Sequence, residues 1–116
     1  MGLFSRDAGV RQVDPAEARR MVGEGALLLD VREPYEWQAG HAPEAVHVPM
    51  RSLGLDDVED GRTVVAVCRS GSRSDRVAEA LQSAGVEAVN LAGGMEAWAA
   101  QGLPVIKDDG SQGTVA

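Results

Sequence analysis

The sequence predicts an α/β fold, a mainly parallel central sheet with helices on both faces, and three observations carry that prediction. Short uninterrupted apolar runs, ALLLDV (26–31) and TVVAVC (63–68), have the pattern of strands buried on both faces. Amphipathic stretches that open on helix-start signals lie between such runs. The 116 residues suit one domain with a single core, and strands alternating with helices at this spacing bury their apolar faces around a parallel sheet.

Each element has its own signal. Val10 to Val13 reads as a short edge strand. Asp14-Pro15 opens a helix, with Asp14 as N-cap and Pro15 in the first turn, where a missing N–H costs nothing. Ala18, Met21 and Val22 form its apolar stripe, and Gly23 and Gly25 stop it. After the 26–31 strand, EPYEWQAGH gives a short helix or turn. AVHVP (45–49) is a third strand in which His47 has a structural role, while His41 reads as a loop hydrogen-bonder. Residues 50–61 hold a helical turn and an acidic loop. Asp56, Asp57, Glu59 and Asp60 there read as a solvated surface, not a metal site. The 63–68 strand leads to a helix from Ser72 to Ala84 closed by Gly85, then a strand from Ala88 to Leu91 and a helix from Gly94 to Gln101. Trp37 and Trp98 read as core packing. The organisation expected is a flexible segment 1–8, a domain over 9–106, and a polar, mobile tail over 107–116 containing DDGSQG.

Charge and composition exclude whole classes of function. A net charge of -7 argues against nucleic-acid binding, which needs a basic face to displace counterions, and against docking on anionic membranes. MGLFSRDAG lacks the apolar stretch of a signal peptide, and no later stretch is long enough to span a bilayer. One cysteine leaves no internal disulfide and no cysteine-based zinc site. The expectation is a cytoplasmic monomer with a reduced thiol, no metal and no cofactor.

That thiol sits in VVAVCRSGSRSDRVAEAL (64–81), where the strand ends on Cys68 and a helix begins. In parallel α/β sheets ligands bind beyond the carboxyl ends of the strands, and Cys68 is placed there. Ser72-x-x-Asp75 matches a capping box, which puts the helix start near Ser72. The N–H groups after Cys68 are then free to face the sulfur, and Gly71 lets the backbone curl around it. A free thiol has a pKa of about 8.5, and such surroundings lower it. Arg69, Arg73 and Arg76 gather around the thiol of an acidic chain, and the first helical turn is a poor place for a cation unless an anion is to be received. The pattern suits a nucleophile that meets an anionic substrate.

Four stretches in series resemble the rhodanese-like single-domain sulfurtransferases: LLLDVREPYEWQAGHAPEAVHVP, VVAVCRSGSRS, VNL and LAGGMEAWAAQGLPV, together covering about residues 10–106. The resemblance implies a rhodanese-like three-layer fold with a mainly parallel central sheet flanked by helices. It implies that Cys68 accepts a sulfane sulfur and carries it as a persulfide, held by the main-chain N–H groups of Arg69, Ser70, Gly71, Ser72 and Arg73. It implies that Arg32 contacts the sulfonate end of a donor and that Asp30 orients the scaffold. Met95, following the paired glycines, either lines the pocket mouth or fills space. GHAPEA stands where relatives commonly have GHIPGA, so Ala42 and Glu44 replace an apolar residue and a glycine. The partners implied are a small anionic sulfur donor and a thiol or protein sulfur acceptor. Two other readings remain. A cysteine phosphatase or arsenate reductase needs an arginine six residues after the cysteine, and Ser74 stands there. A non-catalytic module that docks a partner or records oxidation would use the same reactive thiol.

Overall fold

The computed structural model describes residues 9–116, so the expected flexible segment 1–8 lies outside the described residues. In chain order the elements are β1 (Gln12–Val13), α1 (Pro15–Gly23), β2 (Leu27–Asp30), α2 (Pro34–Ala39), β3 (Val46–His47), β4 (Val64–Val67), α3 (Ser72–Ser83), β5 (Ala88–Leu91) and α4 (Gly94–Ala100). Two 3-10 turns, Met50–Ser52 and Leu55–Asp57, occupy the stretch between β3 and β4. The α/β class holds, and the sheet is parallel throughout, in the order β1-β5-β4-β2-β3.

Burial explains why the central strands read as continuous apolar runs. Every residue of β2, β4 and β5 is buried, because each strand is covered on both faces. Leu28, Val65, Val67, Val89 and Leu91 face one way and pack with Ala18 of α1 and with Met95 and Trp98 of α4. Leu27, Leu29, Val64, Ala66 and Ala88 face the other way and pack with Val77, Ala78 and Leu81 of α3. The edge strands β1 and β3 keep only two residues each, shorter than the runs that suggest them. Asp14 caps α1 as expected, its carboxylate accepting the Glu17 N–H at 2.8 Å, and Pro15 occupies the first turn. Among the described residues no helix is long and apolar enough to cross a membrane.

The strand order fixes where a site can form. After β2 the chain leaves toward β3 on one side, and after β4 it leaves toward β5 on the other. The carboxyl ends of β2 and β4, which are hydrogen-bonded neighbours, therefore frame the crevice that opens where connections diverge. α2 follows β2 and α3 follows β4, so the first turns of these two helices meet above the crevice.

The segment 107–116, expected to be a mobile tail, instead folds back as a hook. His41 and Ile106 exchange backbone hydrogen bonds of 2.8 and 2.9 Å, and the Thr114 N–H donates to the Ala39 carbonyl at 2.9 Å. Gly113 packs against Gly40 so closely that a Cβ on either would overlap the opposite backbone. The polar DDGSQG stretch makes the turn of this hook, with the Lys107 N–H donating to the Ser111 carbonyl. Polarity announced the turn but not the backbone pairing that ties it down. Trp37, read as a core residue, is half-buried under the hook. It stacks on His41 and His47 with ring centroids 3.5 and 4.8 Å away, and its indole N–H donates to Asp108 at 3.2 Å. Trp98 is fully buried, as expected.

Candidate active site

Cys68 follows the last residue of β4 and is completely buried. Its Sγ accepts the Gly71 N–H at 3.1 Å, the Ser74 N–H at 3.4 Å and the Ser74 hydroxyl at 3.2 Å. Burial, the largest single influence, pushes the thiol up. The Ser74 hydroxyl and the N–H groups of Ser74, Gly71 and Ser70 pull it down, and the result lies below the ordinary thiol value. The sulfur is thus a buried atom surrounded by donors, suited to holding negative charge.

The loop takes this shape because of Gly71, although not by the capping box expected. α3 does start at Ser72, but its N-cap is Gly71 with φ 111°, a left-handed conformation that turns the preceding N–H groups inward. A side chain there would be strained whatever space it found. Asp75 does not reach back to Ser72; it accepts the Gln12 amide at 2.7 Å instead. The second fixed point is Gly94. The α4 N-terminus donates Met95 N–H to the Cys68 carbonyl at 2.8 Å and Glu96 N–H to the Arg69 carbonyl at 3.0 Å. A Cβ on Gly94 would overlap both carbonyls. Gly94 therefore lets one helix end seat directly on the thiol loop.

The arginines are placed very differently from one another. Arg73 forms a two-pronged pair with Glu36 of α2, at 2.7 and 2.8 Å, and Glu36 is 3% exposed. The Arg73 guanidinium, ahead of the opposing effect of burial, holds the Glu36 carboxyl below its usual range. The Glu33 N–H also donates to Glu36 at 2.9 Å, which holds the carboxylate from the other side. Arg69 pairs with Glu96 at 3.2 Å, both side chains 52% exposed. Arg76 is exposed on α3.

Arg32 is not where a donor-binding residue would be expected. It is fully buried, donates to Asp30 through Nε and Nη2 at 2.8–3.1 Å, and gives another bond to the Gly40 carbonyl at 2.8 Å. Asp30 also accepts the Arg32 N–H at 3.0 Å. This pair braces the β2–α2 corner. Only Nη1 of Arg32 lacks a partner. Met95 is fully buried among the core residues on the α4 side, so it fills space and does not line a mouth. Ser70 and Ser72 are exposed. Neither histidine serves the thiol: His41 Nδ1 donates to the Trp37 carbonyl and His47 Nε2 to the Arg32 carbonyl, at 2.9 and 2.8 Å.

Four residues of this arrangement escape a reading of the sequence. Glu36 and Ser74 touch the loop arginine and the sulfur; Asn90 and Gln12 stand behind them. Ser74 had one available signal, its position six residues after Cys68 on the first turn of a helix. Glu36 had none locally, since its partner is distant in sequence.

Comparison with known proteins agrees with this geometry. The rhodanese-like domain family matches residues 14–101, well over half of the chain. A sulfurtransferase of Allochromatium vinosum is 39% identical over 90 residues, covering 75% of this chain and 84% of that protein. A putative sulfurtransferase of Bacillus subtilis is 32% identical, covering 82% and 96%. An uncharacterised Synechocystis protein is 38% identical, but this chain spans only 49% of its length. Among solved structures, a rhodanese-related protein of Thermoplasma volcanium superposes with a TM-score of 0.76 at 28% identity, covering 83% of this chain and 97% of that one. A thiosulfate sulfurtransferase of Pseudomonas aeruginosa shares the fold at a TM-score of 0.76 and 22% identity, this chain covering 22% of it. With matched model, matched relatives and a thiol loop at the carboxyl edge of a parallel sheet, the chain belongs to the rhodanese-like domain family.

Proposed function

We propose that the protein moves a sulfane sulfur from thiosulfate or a related anionic donor to a thiol acceptor, through a persulfide on Cys68. The observation that supports this reading best is the set of donors aimed at Sγ from Gly71 and Ser74, all within 3.4 Å. The Cys68 thiolate attacks the outer sulfur of thiosulfate; a sulfur–sulfur bond forms, and the bond to the sulfonate sulfur breaks with its electron pair leaving as sulfite. The cysteine then carries an outer sulfur bearing the negative charge. An acceptor thiolate, on a small molecule or a protein, attacks that outer sulfur and regenerates the Cys68 thiolate. No step needs a general base, because nucleophile and leaving group are anions near neutral pH; preorganised N–H donors supply the stabilisation. With a single cysteine in the chain, the persulfide has to be discharged by another molecule. A reducing cytoplasm is the compartment that suits such a thiol.

The test is direct. Reduced protein incubated with thiosulfate gains the mass of one sulfur atom, and cyanide then removes it as thiocyanate. Cys68→Ser gains nothing. If the parent protein gained no sulfur from thiosulfate, a polysulfide or a low-molecular-weight persulfide, the transfer reading would fail, and a sensing or docking role for the thiol would take its place.

A further inference from the structure

The hydrogen bonds behind Cys68 run in a fixed direction, and that direction creates a conflict at Ser74. Both N–H bonds of the Asn90 amide are taken: Nδ2 donates to Gln12 Oε1 at 2.9 Å and to the Gly71 carbonyl at 3.0 Å. Gln12 gives its own amide hydrogen to the Asp75 carboxylate at 2.7 Å, an acceptor only, so its oxygen has to face Asn90. Asn90 therefore presents Oδ1 to Ser74 Oγ, 2.6 Å away. Two oxygens that close require a proton between them, and only Ser74 carries one. The same hydroxyl lies 3.2 Å from Cys68 Sγ. It has one proton and two near claimants, with the Gly71 carbonyl a more distant third at 3.4 Å.

We propose that Asn90 is a positioning residue that holds the Ser74 hydroxyl proton away from Cys68 whenever the sulfur is uncharged, and yields it only to the anion. In the thiol form the Cys68 S–H donates to Ser74 Oγ, whose proton lies on Asn90 Oδ1, a relay with every group satisfied. When the thiol proton leaves to solvent, the Ser74 O–H turns to Sγ and Asn90 Oδ1, in a side chain only 2% exposed, loses its partner. The Gly71 and Ser74 N–H groups reach Sγ without passing through Asn90 Oδ1, so their preference for the anion is separate from this one. Asn90 thus opposes the thiolate by about the worth of one hydrogen bond, while the backbone donors favour it. On the sulfur-transfer reading the same switch has a further consequence. Once Cys68 is loaded, the charge moves to the outer sulfur, the Ser74 proton returns to Asn90, and the loaded state is favoured over the free thiolate.

The charged groups around the sulfur are engaged elsewhere. Arg73 on α3 is held by Glu36 of α2, Arg69 by Glu96 of α4, and Arg32 by Asp30 at the end of β2, while Asp75 on α3 faces Gln12. None of them hydrogen-bonds the Ser74 hydroxyl or the Asn90 side chain among the described residues.

The experiment follows the rate of Cys68 alkylation by iodoacetamide against pH in the parent, Asn90→Ala, Ser74→Ala and the double variant, each first shown to unfold cooperatively. The midpoint in Asn90→Ala falls by about half a unit to one unit, roughly a three- to tenfold gain in the thiolate-to-thiol ratio. In the Ser74→Ala background the same Asn90 substitution shifts nothing. A midpoint that stays or rises in Asn90→Ala overturns the proposal, as does an equal fall in the Ser74→Ala background, which would mean a loosened loop. Should Asn90→Ala fail to fold, Gln12→Ala at an exposed position decides. It releases one of the two bonds that aim the amide, so a smaller fall, lost in the Ser74→Ala background, supports the proposal, and no shift overturns it. The assay uses no sulfur donor, so its outcome is independent of whether Cys68 carries sulfane sulfur, which mass measurement settles separately.

Discussion

Arg69 in the thiol loop and Arg73 in the first turn of α3 are each paired with one glutamate, and the two pairs do different work. Glu36, the partner of Arg73, is almost entirely enclosed; Glu96, the partner of Arg69, stands half in water. The Arg73 pair has two parallel bonds and joins α2 to the first turn of α3 across the crevice. It therefore fixes the distance between the two walls of the site. The Arg69 pair joins the loop to α4 at the surface, where water and salt weaken it. Equal charges close together in sequence become a brace in one case and a rim charge in the other. Burial of the partner decides which.

That contrast can be broken most severely at Arg73. Arg73→Ala leaves the Glu36 carboxylate enclosed with only a backbone donor, and it lowers the unfolding free energy by about 2–4 kcal/mol, less than a fully buried pair because Arg73 is partly exposed. Urea unfolding measures this loss, and sulfur loading of Cys68 slows with it. A loss no larger than that of a surface charge would show that the brace is not one.

The pair also imposes a pH dependence. Glu36 has a folded value below its ordinary 4.5, so its contribution is present above that ordinary value. As pH falls from about 4.5 toward the depressed folded value, the unfolded chain takes up a proton that the folded chain refuses, and stability drops. Glu36→Gln flattens this part of the acid limb of stability against pH. An unchanged limb would separate Glu36 from the acid response.

At the surface pair the expected effects are smaller. Glu96→Gln changes unfolding free energy by less than about 0.5 kcal/mol. Arg69→Ala weakens the use of anionic donors at low salt, and the difference from the parent narrows as salt is added. If the two proteins responded to salt identically, Arg69 would have no part in attracting the donor.

The same contrast explains what the sequence discloses. β4 was legible because a strand covered on both faces has to be apolar throughout, and Cys68 because a thiol after such a strand sits at the crevice. Gly71 was legible as a turn, but its place as N-cap was not, since Ser72 with Asp75 imitates a capping box that the inward-facing loop cannot use. Glu36 looked like any acidic residue on a short helix; only the topology, which brings α2 over α3, reveals its partner. Asn90 is one polar residue in an otherwise apolar strand, and its meaning depends on Ser74 and Gln12 arriving from two other elements. The hook over 107–116 rests on backbone pairing and on two glycines in contact, which side-chain polarity does not encode. The family resemblance implied an anion for Arg32, and the Asp30 carboxylate two residues away holds it instead.

The central claim is that this loop holds a buried sulfur as an anion, and titration of Cys68 in the folded parent protein tests it most directly. Alkylation rate followed against pH gives a midpoint clearly below the free-thiol value of about 8.5, set by the Gly71 and Ser74 donors against the cost of burial. A midpoint at or above that value would mean that burial wins, that Cys68 rests as a thiol, and that the loop is not built to hold a sulfur anion.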